Sequence, residues 1–212
     1  MRRSIPLLAI LVVVLASPSV ASAGVIVTTL PATPEFAVCI GGQICGDSGE
    51  AVPFTPSSSV VLTDVQVVLE NLWGSNSAVV EVLSSSGGLP GTVLESWNTG
   101  ALSQSPGGAT VTLIDSLSLG LTGGTTYWLA VLPGSNPSNG LNDEWYNSAA
   151  EGTGSFATFP NGGSAWSTTN GPALAYQVDG TSGVPEPASL LLIGTGLAGV
   201  WMLRRRARSS QS

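Results

Sequence analysis

Asp143 and Glu144 form a pair of adjacent carboxylates, and paired carboxylates are the groups that glycoside hydrolases use as acid and base. In a strand, however, adjacent side chains point to opposite faces, so these two are poorly placed to act together. Carboxylates also bind Ca²⁺, but "LNDEW" lacks the alternating Asp spacing of a calcium-binding loop. The sequence therefore predicts no catalytic residue and no metal site. Because Asp143 and Trp145 follow a loop of Gly, Asn and Pro, we predict that they are exposed and contact a ligand.

The basic residues are confined to the two ends of the chain. All six are arginines, and the chain has no histidine and no lysine: Arg2, Arg3, Arg204, Arg205, Arg206 and Arg208. General bases near neutral pH are most often His, and Schiff bases need Lys. Affinity for nucleic acid comes mainly from Lys and Arg on phosphates. We therefore expect no enzyme activity, no cofactor and no nucleic-acid partner.

Cys39 and Cys45 are the two cysteines, in the segment "CIGGQIC". If the chain is exported, thiols oxidise in its compartment, which favours a disulfide over two free thiols. Zinc is disfavoured, since two cysteines without His leave half of a tetrahedral site to carboxylates, which match structural zinc sites poorly.

The N-terminus is typical of a secretory signal peptide over residues 1–23. Arg2 and Arg3 precede an apolar core, Ile5 to Ala16, and the small residues Ala21 and Ala23 mark a cleavage site before Gly24. The alternative is an uncleaved anchor, although the apolar core is short for a membrane span.

The C-terminus contains sixteen uncharged residues, 188–203. This length is slightly under the 17 to 25 residues that usually span a bilayer. An arginine cluster follows at once and predicts a stop-transfer signal that stays in the cytoplasm: Arg204, Arg205, Arg206 and Arg208. The sequence predicts a single transmembrane helix with the domain outside the membrane.

The same tail resembles a known family of sorting signals. It begins with Val184, Pro185, Glu186 and Pro187 and continues with the apolar run and the arginines. This order resembles the PEP-CTERM signal of exported bacterial surface proteins, a tail also described as an ice-binding protein C-terminal domain. The resemblance implies a transient membrane anchor processed near the PEP motif by an exosortase, followed by display at the cell surface or release. The alternative is a permanent single-pass anchor.

The central region favours an all-β fold with almost no helix. In several short segments an apolar residue stands at every second position, for example Val65, Val67 and Leu69 in one segment and Tyr127, Leu129 and Val131 in another. Turn signals separate these segments, for example "SSSGGLPG" and "LTGG". We predict seven to nine strands in an antiparallel β-sandwich of jelly-roll or immunoglobulin-like type over residues 60–180. Residues 24–59 are expected to form an N-terminal segment with the disulfide loop.

Within this region, "GGLPGTVLESW", "LTGGTTYWLAVLPG" and "DEW" resemble the choice-of-anchor domains. These are all-β modules that carry different surface-sorting tails in different bacteria. The resemblance implies a fold and a cell-surface setting and brings no catalytic residue.

Five tryptophans of the central region could form a surface for sugar rings, although packing in the core is the favoured interpretation: Trp73, Trp97, Trp128, Trp145 and Trp166. Three functions then compete. The favoured one is a non-catalytic structural or adhesive protein of a bacterial extracellular polysaccharide matrix. A carbohydrate-binding module acting on exopolysaccharide requires exposed, coplanar tryptophans, and a hydrolase requires two acids that converge in a cleft.

Overall fold

The structure, a computed structural model, describes residues 23–41, 48–73, 77–134, 142–150, 152–159 and 165–182. These residues belong to one compact unit, Ser22–Gly183. Ala21, Cys45, the PEP motif with its apolar run, and the terminal arginines lie outside the described residues. None of the described residues forms a helix that is long and apolar enough to cross a membrane.

Thirteen strands make up the described fold. They are β1 (Ala23–Thr28), β2 (Ala32–Ile40), β3 (Gly49–Phe54), β4 (Val60–Trp73), β5 (Ala78–Ser86), β6 (Leu89–Asn98), β7 (Ala109–Ile114), β8 (Gly120–Leu121), β9 (Tyr127–Pro133), β10 (Asn142–Ser148), β11 (Thr153–Phe159), β12 (Ser167–Pro172) and β13 (Tyr176–Ser182). The predicted all-β class is confirmed for these residues.

Sheet A has seven strands and is organised around β4. Along its length, β4 pairs with β13 and β10, and also with β7 and β8, while β1 and β2 extend the sheet beyond β13 and β10. Sheet B has six strands in the order β12-β11-β3-β9-β5-β6. Every strand pairing in the two sheets is antiparallel.

The alternation read from the sequence determines which side chains enter the core. Val65 and Val67 of β4 are fully buried in the same cluster as Val80 of β5 and Leu129 of β9. Since the first two residues belong to sheet A and the others to sheet B, the two sheets pack face to face. This arrangement is a β-sandwich, as the sequence predicts.

The "SSSGG" segment forms the turn between β5 and β6. Ser86 pairs with Leu89, so Gly87 and Gly88 are the two loop residues, with φ of 63° and 80°. Two positive φ values in a two-residue loop match a type I′ turn, which glycine adopts without steric cost. Gly88 of this turn also lines a groove on sheet B.

The predicted count of seven to nine strands is wrong, because thirteen are described. Residues 24–59 account for part of the difference: they supply β1, β2 and β3 to the two sheets, so the sandwich begins well before residue 60. Prolines in β2 and in β3 interrupt the sequence pattern by which these strands would be recognised. Proline has no backbone N–H, so a strand tolerates it where that N–H would have no partner in the neighbouring strand.

Two leucines give a matched test of this core. Leu129 is 0 % exposed and Leu117 is 67 % exposed. Leu129→Ala should reduce the free energy of unfolding by about 2 to 5 kcal/mol because it leaves a cavity, whereas Leu117→Ala should change it by less than about 0.5 kcal/mol. Urea unfolding followed by tryptophan fluorescence measures both. Equal losses would contradict the assignment of Leu129 to the core.

Candidate functional site

Asp143 and Trp145, predicted as exposed ligand contacts, are buried. Both are 0 % exposed, and the indole Nε1 of Trp145 donates to the carbonyl oxygen of Ala175 at 2.9 Å. The cause is the position of β10, which pairs on one side with β4 and on the other with β2. A strand inside a sheet places alternate residues in the core, and the loop before it does not change that. The expected exposure of these two residues is therefore wrong.

The other predicted residues are placed as follows. Ala23 and Gly24, at the predicted signal cleavage site, are the first residues of β1. Cys39 lies in β2, whereas Cys45 lies outside the described residues, so their disulfide stays a prediction. The sorting residues Val184–Pro187 and the arginines after residue 203 also lie outside the described part of the chain.

The two ends of the described chain are neighbours in sheet A. Ala23 of β1 lies opposite Thr181 of β13, and Gly24 lies opposite Gly180. Because β1 and β13 are antiparallel, the start of the predicted mature chain and the last described residues occupy the same end of one sheet edge.

Two like-charged pairs lie across neighbouring strands of sheet A, and the sequence alone did not reveal them. Asp64 of β4 lies opposite Asp179 of β13, and the amide Nε2 of Gln66 donates to both carboxylates at 3.3 Å. Burial, together with the nearby charge of Asp64, raises the pKa of Asp179, although a hydrogen bond from Gln177 opposes the shift. The amide donors hold together two acids that would otherwise repel each other.

The second pair, Glu70 of β4 and Glu144 of β10, also faces across the ladder. The hydroxyl of Tyr146 donates to Oε2 of Glu70, and the backbone N–H of Gly107 donates to the same oxygen at 3.2 Å. Burial and the Glu70 charge raise the pKa of Glu144. Burial and the bond to Glu70 raise the pKa of Tyr146 to about 12.

A third pair connects the edges of the two sheets. Glu95 of β6 is 3 % exposed, and its Oε1 accepts the backbone N–H of Ser116 at 3.1 Å. The neighbouring Asp115 accepts the backbone N–H groups of Leu117 and Leu119, each at 3.0 Å. Burial, reinforced by Asp115, raises the pKa of Glu95 to about 7.

These carboxylates act as structural acceptors of hydrogen bonds. Each of the three pairs is bound by backbone N–H groups or by amide and hydroxyl donors, and in the third pair the donor to Glu95 of sheet B is Ser116, which follows β7 of sheet A. Among the described residues, no group of three or more His, Cys, Asp or Glu is arranged to hold a metal ion. The raised pKa values of these carboxylates make the stability of the fold depend on pH.

The four tryptophans with described side chains contribute mainly to packing. Trp97 is half-buried and its Nε1 donates to the carbonyl oxygen of Ile114 at 3.0 Å. Trp128 and Trp166 belong to a second apolar cluster, and the ring of Trp166 lies 5.3 Å from that of Phe159. With Trp145 in the core, this distribution agrees with the favoured packing interpretation.

A groove crosses the face of sheet B that points away from the core. Strand alternation puts Pro53 and Trp128 on that face, since Val52, Phe54 and Leu129 beside them enter the core. The groove has a volume of about 520 Å³, within the usual range of small-molecule sites. Its lining, called the sheet B groove from here on, is Pro53, Ser85, Gly88, Thr126, Trp128, Ser155, Thr168, Thr169 and Asn170.

The described fold defines the chain as an all-antiparallel β-sandwich protein. Residues 183–206 match the PEP-CTERM protein-sorting motif, which confirms the resemblance of the tail. This motif indicates an exported protein that an exosortase sorts to the cell surface. None of the curated proteins compared with the chain matches it.

The buried carboxylates predict a stability that falls as pH rises. Burial raises the pKa values of Glu50 and Glu95 from 4.5 to about 7, so the folded protein retains protons that the unfolded chain releases. The contribution of these groups to the free energy of unfolding is then full below about pH 4.5 and is lost as pH rises through about 7. We expect a loss on the order of 1 to 3 kcal/mol per group.

Glu95→Gln tests this dependence, because the amide oxygen can still accept the N–H of Ser116 but cannot ionise. Thermal unfolding between pH 5 and 8 should show a flatter profile for Glu95→Gln than for the natural chain. Glu35→Gln, at an exposed position of β2, is the control and should keep the full slope. An unchanged slope in Glu95→Gln would rule out this origin of the pH dependence.

Proposed function

We propose that this protein is an exported bacterial surface or extracellular-matrix component with a structural or adhesive, non-catalytic role. A C-terminal helix over 188–203 retains it in the membrane until an exosortase processes the chain near Pro185–Pro187. The observation that carries this proposal is the match of residues 183–206 to the PEP-CTERM sorting motif.

The N-terminal sequence supports the export route. A signal peptide over residues 1–23 would deliver the chain to the outer side of the inner membrane. Cleavage after Ala23 would leave a mature chain that starts within β1, so that nearly all of β1 remains available to pair with β13. The terminal arginines would stay in the cytoplasm and fix the orientation.

The non-catalytic role is supported by chemistry. The region between Ser4 and Leu203 has no basic side chain, so its acids lack the cationic partners with which many active sites tune carboxylates. The buried carboxylates described above are bound by donors of the fold. In a matrix protein, such a domain would serve through its surface and its stability.

A second candidate is a carbohydrate-binding module that acts on exopolysaccharide. The observation that favours it is the sheet B groove, where hydroxyl and amide side chains surround Pro53 and Trp128. Sugar sites commonly combine polar groups with some apolar surface, but Trp128 is only 3 % exposed, so the groove has no exposed aromatic platform and would bind a sugar mainly through its polar side chains. The two candidates are compatible, since a matrix protein can bind the matrix polymer.

The intact mass of the protein tests the sorting proposal. The chain is recovered from cell envelope and from medium of a host with its exosortase and of a host without it. We expect a species that lacks everything after the PEP region, formed only when the enzyme is present. The triple variant Pro185→Ala, Glu186→Ala, Pro187→Ala should stay uncut, while Pro172→Ala, at an exposed position of β12, should be processed normally.

The opposite result is equally clear. A chain that is intact through Arg208 in both hosts would make this a permanent single-pass membrane protein. A cut of the same size in both hosts would assign the processing to another protease.

A further inference from the structure

The sheet B groove runs across the strands. Most of its residues come from β12, β11, β3, β9 and β5 in the order in which these strands pair, with Thr126 just before β9 and Gly88 of the β5–β6 turn near one end. Five neighbouring strands extend over four spacings, or about 19 Å. The groove is therefore long enough for several linked units of a polymer.

The chemistry of the lining is uniform. It is lined by Ser, Thr, Asn, Trp, Pro and Gly residues, none of them ionisable; four of the hydroxyl side chains lie on the groove side, because Thr169 pairs with the core residue Phe156 and faces the other way. Hydroxyls both donate and accept hydrogen bonds. Such a lining matches a ligand that is itself rich in hydroxyl groups and carries no charge.

Hydrogen bonds hold the polar side chains of the groove in place. The indole Nε1 of Trp128 donates to Oγ of Ser85 at 3.3 Å, and the hydroxyl of Ser155 donates to Oδ1 of Asn170 at 2.8 Å. Because the Asn170 oxygen faces Ser155, its NH₂ group is directed away from Ser155. A groove with side chains ordered in advance loses less entropy when a ligand binds.

The apolar part of the groove is a floor and does not protrude. Trp128 is 3 % exposed and packs in the cluster that contains Leu83 and Ala51, so little of its ring is accessible and the half-buried Pro53 lies beside it in the lining. A sugar ring has C–H groups on its faces and hydroxyls around its rim. The rim hydroxyls would meet Thr168 and Asn170 on one side and Ser85 on the other, and these hydrogen bonds, not stacking on Trp128, would hold the sugar.

The charge of the protein distinguishes neutral from anionic polysaccharides as ligands. The chain has a net charge of −7, and no lysine, arginine or histidine occurs between Ser4 and Leu203 to bind carboxylate or sulfate groups. An anionic polymer would be repelled by the domain and would find no cation in the groove.

We propose that the sheet B groove binds a segment of an uncharged polysaccharide chain. The polymer lies across the strands, with its hydroxyls bonded to the Ser155–Asn170 pair and to Thr168. This inference deepens the second candidate function and rests on it, but it does not depend on processing by exosortase.

The test uses the full chain in detergent and measures its depletion from solution by insoluble polysaccharides. The neutral polymers are cross-linked dextran, cellulose, mannan and xylan, and carboxymethylated dextran and cellulose are their charged counterparts. We expect retention on at least one neutral polymer and much weaker retention on its carboxymethylated form.

The groove variant is Thr168→Ala combined with Asn170→Ala, both at exposed positions of the edge strand β12. Loss of about two hydrogen bonds to the ligand should weaken binding roughly tenfold. The matched control is Thr110→Ala combined with Thr112→Ala, two exposed residues of β7 in sheet A, and it should bind as the natural chain does. Thermal unfolding checks that both variants are folded.

Three results would overturn the proposal. They are no retention on any of the neutral polymers, equal binding of the groove variant and the control, and stronger retention on the carboxymethylated forms. The mass experiment on the tail is independent of all three, so failure of this inference and failure of the sorting proposal are distinguishable.

Discussion

The two-sided pairing of β4 is the constraint on which the rest of the sandwich depends. One edge of this strand bonds first to β13 and then to β10, while the other bonds to β8 and β7. Since β1 and β2 join the sheet only through β13 and β10, the whole of sheet A is assembled around β4. Its alternation then sets both faces at once, with Val65 and Val67 in the core and Asp64 and Gln66 outside.

A domain without basic residues cannot pair its carboxylates with lysine or arginine. Here the acids face each other in pairs, and amide, hydroxyl and backbone N–H donors take the place of lysine and arginine. These donors bind several of the carboxylate oxygens without cancelling the charge, while Oε2 of Glu95 is buried without a hydrogen-bond partner, so burial favours the protonated form. The consequence is a fold that is more stable in mild acid than in mild base.

The sequence predicted the class of fold well and the placement of the candidate site poorly. Period-two alternation is a local property, and it identified the segments that became β4 and β9. The exposure of Trp145 is a non-local property, because it depends on β4 and β2 pairing on either side of β10. No pattern within "LNDEW" carries that information. The same holds for the groove, whose lining comes from five strands that pairing alone brings together.

The sorting tail is different, because its signal is contained in consecutive residues. A motif that a membrane enzyme reads in the chain itself needs no partner strand, so the sequence was sufficient to predict it and the family match confirmed it.

The last described strand ends directly before the matched sorting motif. The pairings of β13 with β4 and β1 involve residues up to Ser182, and the matched sorting motif starts at residue 183. A cut near Pro185–Pro187 would therefore remove none of the residues that sheets A and B use. The edge strand β1 further protects this end, since it continues the ladder of β13 as far as Thr181. Every described strand pairing therefore lies outside the matched motif.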